Sequence, residues 1–408
     1  MAPSSDRRAA PRAPRTELAV GLMSGTSADG VDAALVRVDA RPGGPPRVTT
    51  LAALTVPYDA RFRARLLALP DVTARELARL HVDVGERLAA AVQAVLRRAR
   101  MPAARVAFVA SHGHTAVHLP RRGGGGATLQ IGDPAVVAER TGLAVVADFR
   151  PRDVAAGGEG APFVPWADRL LLAEPGRVVA CQNVGGIANV TAVGPRVGDL
   201  VAFDTGPGMM LVDLAVAAAT AGRARFDRDG AMAAAGTLDA GLLADLLAHP
   251  YLRRRPPKST GREDFGAPFL KPLRARARTA RARRDLVATL TAFTAASIAD
   301  AYRRFLPPVH RCLVSGGGAH NATLLRHLRA ALPGTDVATS AAVGIDPDFK
   351  EAVAFALLGW AHRRGLPNTV PAATGARRAV VGGALWPATA GRGARVRRVA
   401  GAADPSGR

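Results

Sequence analysis

The sequence predicts an α/β protein built from two similar halves, and three observations carry that prediction. Short apolar runs alternate with glycine turns and with longer stretches of helical period. A strand, tight turn, strand unit near the start of the chain is repeated from Arg177 onward. A third unit, CLVSGGGAHNATLLRHLRAAL, runs from a strand through a glycine turn directly into a helix. The 408 residues leave room for about two domains at roughly 100–200 residues each.

In chain order, the apolar run Leu18 to Met23, the polar turn SGTSADG and the run Val31 to Val38 predict a β-hairpin. Residues 74–100 place Leu, Val and Ala at helical spacing between Arg and Glu, which predicts one long amphipathic helix. A strand is expected at Val106 to Ser111 and another at Thr128 to Ile131. Between them the consecutive glycines Gly123 to Gly126 predict a flexible loop. Gly and Pro gather at 148–165 in DFRPRDVAAGGEGAPFVP, the expected hinge. Beyond it VVACQNV, GGIAN and VTAV repeat the opening unit. The expected organisation is tails without structure at 1–16 and 389–408, a first lobe of 17–155 plus 368–388, and a second lobe of 156–367.

Composition excludes several classes. Hydrophobic residues make up 48% and charged residues 22%, which argues against wholesale disorder. No apolar run reaches the roughly 18–20 residues that span a bilayer, and no signal-like segment opens the chain, so a cytoplasmic protein is expected. Cys181 and Cys312 stand alone in apolar surroundings, without the spacing of a disulfide framework or a zinc site. The net charge of +22 would suit a phosphate backbone, but all but three of the 55 lysines and arginines are arginine, scattered along a chain rich in Ala, Gly and Pro. With aromatics at 4% and no basic stretch interleaved with them, the charge reads as coding bias, and nucleic acid is not an expected partner.

Four glycine turns follow apolar runs: Gly25–Gly30, Gly185–Gly186, Gly206–Gly208 and Gly316–Gly318. Such turns let backbone N–H groups approach an anion, and each alone is equally an ordinary turn. Neither a Walker loop nor GxGxxG is present. Spread over two similar halves, the four turns point to a nucleotide held between lobes. Ser24, Thr26 and Ser27 add hydroxyls, and Asp29 and Asp32 add carboxylates that suit Mg²⁺ through water or simply build the turn. Asp204 in FDTGPGMMLVD ends an apolar run just before a glycine turn, where it either serves as a general base or caps the turn. His112, His114 and His118 lack the partners of a metal site, and His112 better suits hydrogen bonding to a polar substrate. Arg150, Arg152 and Asp153 form a charge cluster that orients a substrate or pairs at the surface. KSTGRED at 258–264 contacts substrate or nothing.

Taken in order, GLMSGTSADGVDAALV, SHGHTAVH, LQIGDPAVVAERTG, VVADFRPRDVAAGGEGAPFVP, NVGGIANVT, FDTGPGMMLVD, FDRDGAMAA, KSTGREDF, LVSGGGAHNATLL and GIDPDFKEAVAFALLG resemble the anhydro-N-acetylmuramic acid kinase family. The resemblance implies two actin/hexokinase-like, ribonuclease H-like lobes closing over ATP, Mg²⁺ and an amino sugar. It implies hydrolytic opening of a 1,6-anhydro ring and phosphorylation of O6, in a cytoplasmic homodimer. Asp204 would activate water. Ser24, Gly25, Thr26, Ser27, Ala28, Asp29, Gly30, Gly185, Gly186, Gly206 and Gly208 would hold phosphates, and Gly316, Gly317 and Gly318 the nucleoside. Arg152 and Glu351 would face the sugar, which His112 would join by its own hydrogen bonding. The chain departs from the family in having His114 and Glu159 where Gln is usual, and Met209 where Asn is usual. An exopolyphosphatase-like hydrolase of the same superfamily and a nucleotide-switch or filament protein are the competing readings.

Overall fold

The structure, a computed structural model, describes residues 16–119, 126–196 and 199–388. The expected tails lie outside that range except for Thr16, which opens the first strand, and so do Gly123 to Gly125 of the expected glycine loop. The strands are β1 (Thr16–Ser24), β2 (Gly30–Arg41), β3 (Gly44–Pro57), β4 (Phe108–Leu119), β5 (Ala127–Ile131), β6 (Val145–Ala147), β7 (Val179–Val184), β8 (Ile187–Val193), β9 (Val201–Pro207), β10 (Arg311–Ser315), β11 (Asp336–Thr339) and β12 (Ala384–Trp386).

Two sheets share one topology. The first runs β12-β6-β4-β1-β2-β3, with β5 also paired to β4; the second runs β11-β10-β7-β8-β9. In each, three successive strands form an antiparallel meander, and a later strand returns parallel to the first of them: β4 beside β1, and β10 beside β7. A further parallel strand, β6 or β11, lies beyond it. The repeated halves expected from the glycine turns are therefore present. The opening hairpin is in fact a meander of three strands. β3 escapes a reading of the sequence because it begins Gly-Pro-Pro and its register to β2 shifts twice, which scrambles the alternation of apolar and polar residues.

Helices cover both faces of each sheet, which is why the central strands β1 and β7 read as nearly continuous apolar runs. The helix Ala74–Arg98 is capped by Thr73, whose side chain accepts from the Glu76 N–H, and buries the stripe Leu80, Val84, Leu88, Val92 and Val95 on one face of the first sheet. Lys350–Arg363 covers the other face. In the second sheet Ala280–Phe305 lies on one face, and Val164–Leu172 contributes to the smaller core on the other. The expected limit at 367 put residues 350–363 in the second lobe; packing puts this helix on the first sheet. It is apolar almost all round, so its sequence does not reveal which sheet it covers. Among the described residues no helix is long and apolar enough to cross a membrane.

Helix and sheet touch through glycine. A Cβ on Gly21 of β1 would overlap the carbonyl oxygen of Ala352, and one on Gly359 would stand 2.6 Å from the Ala110 Cβ and 2.7 Å from the Phe108 ring. Gly21→Ala is therefore expected to destabilise the protein by about 3 kcal/mol or more, because backbone rather than a flexible side chain must move. Urea unfolding measures it, and a wild-type midpoint would refute the close seat of the helix.

Candidate active site

The structure gathers the three second-lobe turns at the end of β7. Gly208 N–H donates to the Gly186 carbonyl at 2.9 Å, Met209 N–H to that of Gly185 at 2.7 Å, and Met210 N–H to Gly186 at 3.1 Å. Gly208 has no room for a side chain against the Gly185 carbonyl, and Gly206 takes φ +146°. Gly316, at φ +77°, turns beside Asn183, and Gly318 rests on Val184, with Gly317 open between them. Met209 is buried with its side chain in the second-lobe core.

The first turn joins β1 to β2. Thr26, Ser27 and Asp29 are exposed, whereas Ala28, at φ +54°, is buried and can offer only backbone. Ser24 also points inward: its hydroxyl bonds to Tyr58 Oη at 2.9 Å and to His114 Nδ1 at 3.0 Å. Burial holds the His114 imidazole down at about 4, so it is a neutral strut beneath the turn. Arg63, on the helix Ala60–Leu67, clamps the turn by donating to the Ser27 carbonyl at 3.2 Å and pairing with Asp29 at 3.2 Å. Nothing in the sequence around Arg63 marks it, because its role comes from a helix folding back on a distant turn.

Asp204 sits two residues before Gly206 on β9, partly buried. Its Oδ2 accepts from the Thr260 N–H at 3.0 Å, and among the described residues Oδ1 takes no protein hydrogen bond. Its backbone is held twice, by its own N–H donating to the Lys258 carbonyl at 3.2 Å and by its carbonyl accepting from Tyr251 Oη at 2.8 Å. Burial pushes the carboxyl up to about 6, against the pull of the Thr260 amide and the Lys258 ammonium. Lys258 lies among the rings of Tyr251 and Phe305 (4.8 Å each) and Phe203 (5.7 Å) and donates to the Leu252 carbonyl. The segment 258–264, left between substrate and nothing by the sequence, is thus the brace of Asp204.

The residues expected at the sugar divide. His112 is buried, bonded at Nδ1 to the Gly113 carbonyl (3.0 Å) and at Nε2 to Arg150 (2.8 Å and 3.2 Å), so both ring nitrogens are used within the protein. Burial lowers the Arg150 guanidinium to about 10, with Glu351 favouring its charge. Burial raises the Glu351 carboxyl against Lys350 and Arg150. Arg150, His112 and Glu351 therefore form one cluster. Arg152 does not join it: exposed, it donates to the Val381 carbonyl at 3.2 Å on the rim of a cavity of about 380 Å³. Asp153 is buried and ties the Gly160 N–H to the Thr374 hydroxyl. Glu159 donates its N–H to the Thr374 carbonyl. A larger cavity, of about 870 Å³, lies against the helices Met210–Ala219 and Ala267–Arg276 and holds none of the expected site residues.

Asp213, on the helix Met210–Ala219, completes the picture. Its carboxyl is pushed up to about 7 by burial, then by Asp227 and by Asp29 of the first turn, and its buried Oδ1 has no hydrogen-bond partner. The charge of Asp29, on the first turn, thus adds to that of Asp227 in disfavouring the Asp213 carboxylate. Among the described residues no His, Cys, Asp and Glu set is built to hold a metal by itself.

Two sheets of one topology and a braced, partly buried carboxylate at a strand end beside glycine turns fit a phosphotransferase that acts on a sugar hydroxyl. The chain belongs to the anhydro-N-acetylmuramic acid kinase family, whose model matches residues 17–388. It is 46% identical over 391 residues to the anhydro-N-acetylmuramic acid kinase of Gloeobacter violaceus, covering 91% of this chain and 99% of that protein. It is 45% identical over 371 residues to that of Streptomyces coelicolor, with 90% and 93% covered. The Caldanaerobacter subterraneus enzyme of the same name is 42% identical over 386 residues, with 90% and 96% covered.

Arg63 generates a test. Arg63→Ala should raise the KM for ATP about threefold, the scale of an exposed ion pair, and leave the KM for sugar unchanged. Coupled ADP release measures both, and an unaltered ATP KM would remove Arg63 from the site.

Proposed function

We propose that this chain converts 1,6-anhydro-N-acetylmuramic acid, ATP and water into N-acetylmuramic acid 6-phosphate and ADP, in the recycling of cell-wall sugar. The observation that carries the reading is Asp204, with Oδ2 fixed by the Thr260 amide, Oδ1 left unbonded and glycine turns two and four residues further on. Oδ1 takes the proton from a water whose oxygen attacks the anomeric carbon. The bond from that carbon to O6 breaks, and O6 attacks the γ-phosphorus as ADP leaves. Backbone amides of Thr26, Ser27, Gly185 and Gly186 receive the phosphate charge, and Gly316 to Gly318 line the nucleoside side. Glu351 and Arg150, with His112 behind, orient the sugar. Arg152 has its place at the rim rather than in that cluster.

The residues also fit Mg²⁺. Asp213 Oδ1, orphaned and buried beside Asp29 and Asp227, suits an ion that keeps its waters and arrives with the phosphates. An ion held there would supply neutralising charge to the triphosphate. By packing, we propose a first lobe of 16–155 plus 350–388 and a second of 173–349, joined by 156–172, whose Ala167 packs in the core of the helix 350–363 and whose Leu172 packs with β7.

Two outcomes test the base. Asp204→Asn should lose roughly a hundredfold or more in kcat at pH 8, with sugar-dependent ADP release as the readout. Because the base must be ionised and burial raises its carboxyl to about 6, wild-type kcat/KM should fall as pH drops through about 6. An acid limb that stayed near pH 4 would mean that another group takes the proton.

A further inference from the structure

In a chain where all but three of 55 lysines and arginines are arginine, lysine at a fully buried position is itself informative. Lys258 braces Asp204. Lys350 is the other buried lysine, and the reaction above gives it no task. Its Nζ donates to Asp168 Oδ1 at 3.0 Å and to Oδ2 at 3.2 Å, with the two side chains 4% and 2% exposed. Asp168 also takes a hydrogen bond from the Thr191 hydroxyl.

The pair stands where the lobes join. The chain passes from the first sheet to the second through Val164–Leu172, which carries Asp168, and returns through Lys350–Arg363. Val164–Leu172 packs on β7 and β8 of the second sheet and also touches β3 and the helix 350–363. Thr191 lies on β8. One ammonium, one carboxylate and one hydroxyl therefore tie together both crossings and the second sheet, a single residue away from Glu351.

Energetics say why a charged pair in this place calls for a reason. Taking both ions out of water costs several kcal/mol each, and apolar residues of similar volume commonly hold a fold equally well. What a carboxylate gripping an ammonium adds is a fixed distance and direction. Arginine would need partners for five donors in a slot that offers one carboxylate, so the compact lysine is the cation that fits.

We propose that Lys350 and Asp168 are positioning residues, an ion pair that pins the pivot between the lobes and holds Glu351 in register with the sugar. The proposal rests on the kinase reading above. It is tested with the full chain carrying Lys350→Met and Asp168→Leu together, an apolar replacement expected to fold. Thermal unfolding, kcat and KM for sugar and ATP are compared with wild type. Compaction on adding a non-hydrolysable ATP analogue, with and without sugar, is read by small-angle X-ray scattering.

The expected result is a midpoint near wild type, kcat lower by about tenfold or more, a raised sugar KM and reduced compaction, since small misplacements cost large factors in rate. A folded double variant with wild-type kcat, KM and compaction overturns the proposal. If the double variant does not fold, Thr191→Val takes its place: it removes only the second-sheet hydroxyl, and wild-type kcat with wild-type compaction in it overturns the proposal equally. A wild type that compacts with the analogue but gives no sugar-dependent ADP would sink the substrate reading. In that case compaction of the variants alone decides the pivot.

Discussion

The helix Lys350–Arg363 can lie against β1 and β4 only because Gly21 and Gly359 put no side chain at the crossing. That contact fixes the height and rotation of the helix, and with them everything at its N-terminus. Lys350 meets Asp168 there, and Glu351 meets Arg150 and, through Arg150, His112 on β4. Phe355, one turn further on, lies tilted against the His112 ring at 4.8 Å and edge-on to Phe149 at 5.5 Å. A looser helix would lose the Glu351, Arg150 and His112 cluster before it lost the core, because packed apolar residues tolerate small shifts that hydrogen-bonded charges do not.

Burial does opposite things to the charged groups of the site, and the chemistry follows from the difference. Asp204 is buried enough to lift its carboxyl to about 6, yet one amide and a nearby ammonium keep it ionised near neutrality. A carboxylate in that range can accept a proton and is still mostly ionised at neutral pH. His114 is driven the other way, to about 4, and serves as a neutral link between β4 and Ser24.

Much of this was legible in the sequence, and the gaps have physical causes. Glycine turns and strand ends are local, so the repeated halves, the four turns and Asp204 could be read directly. Arg150 and Arg152 could not be told apart: two residues apart on a short helix, they point some 200° apart, and only the seat of that helix decides which one enters the cluster. Arg63, Thr260 and the β3 strand depend on partners far away in sequence or on a shifted register, which leaves no local pattern. Lys258 and Lys350 did leave a signal, their rarity, but rarity of a residue type speaks only once burial is known.

The two glycine hairpins occupy the same place in their respective sheets and reach the same electrostatic end by different means. A loop carbonyl aimed at the cleft would repel a triphosphate. In the first turn the Gly25 carbonyl accepts from the Ala28 N–H and the Ser27 carbonyl from Arg63. In the second, the carbonyls of Gly185 and Gly186 accept from the amides of Gly208, Met209 and Met210. The N–H groups of Thr26, Ser27, Gly185 and Gly186 meet no loop or turn carbonyl among the described residues. Tying down the acceptors leaves the donors as the accessible face, an asymmetry that suits a glycine turn to an anion. The first lobe achieves it with a guanidinium from a neighbouring helix, and the second with backbone alone, which is why only the second needs Gly208 pressed against its own loop.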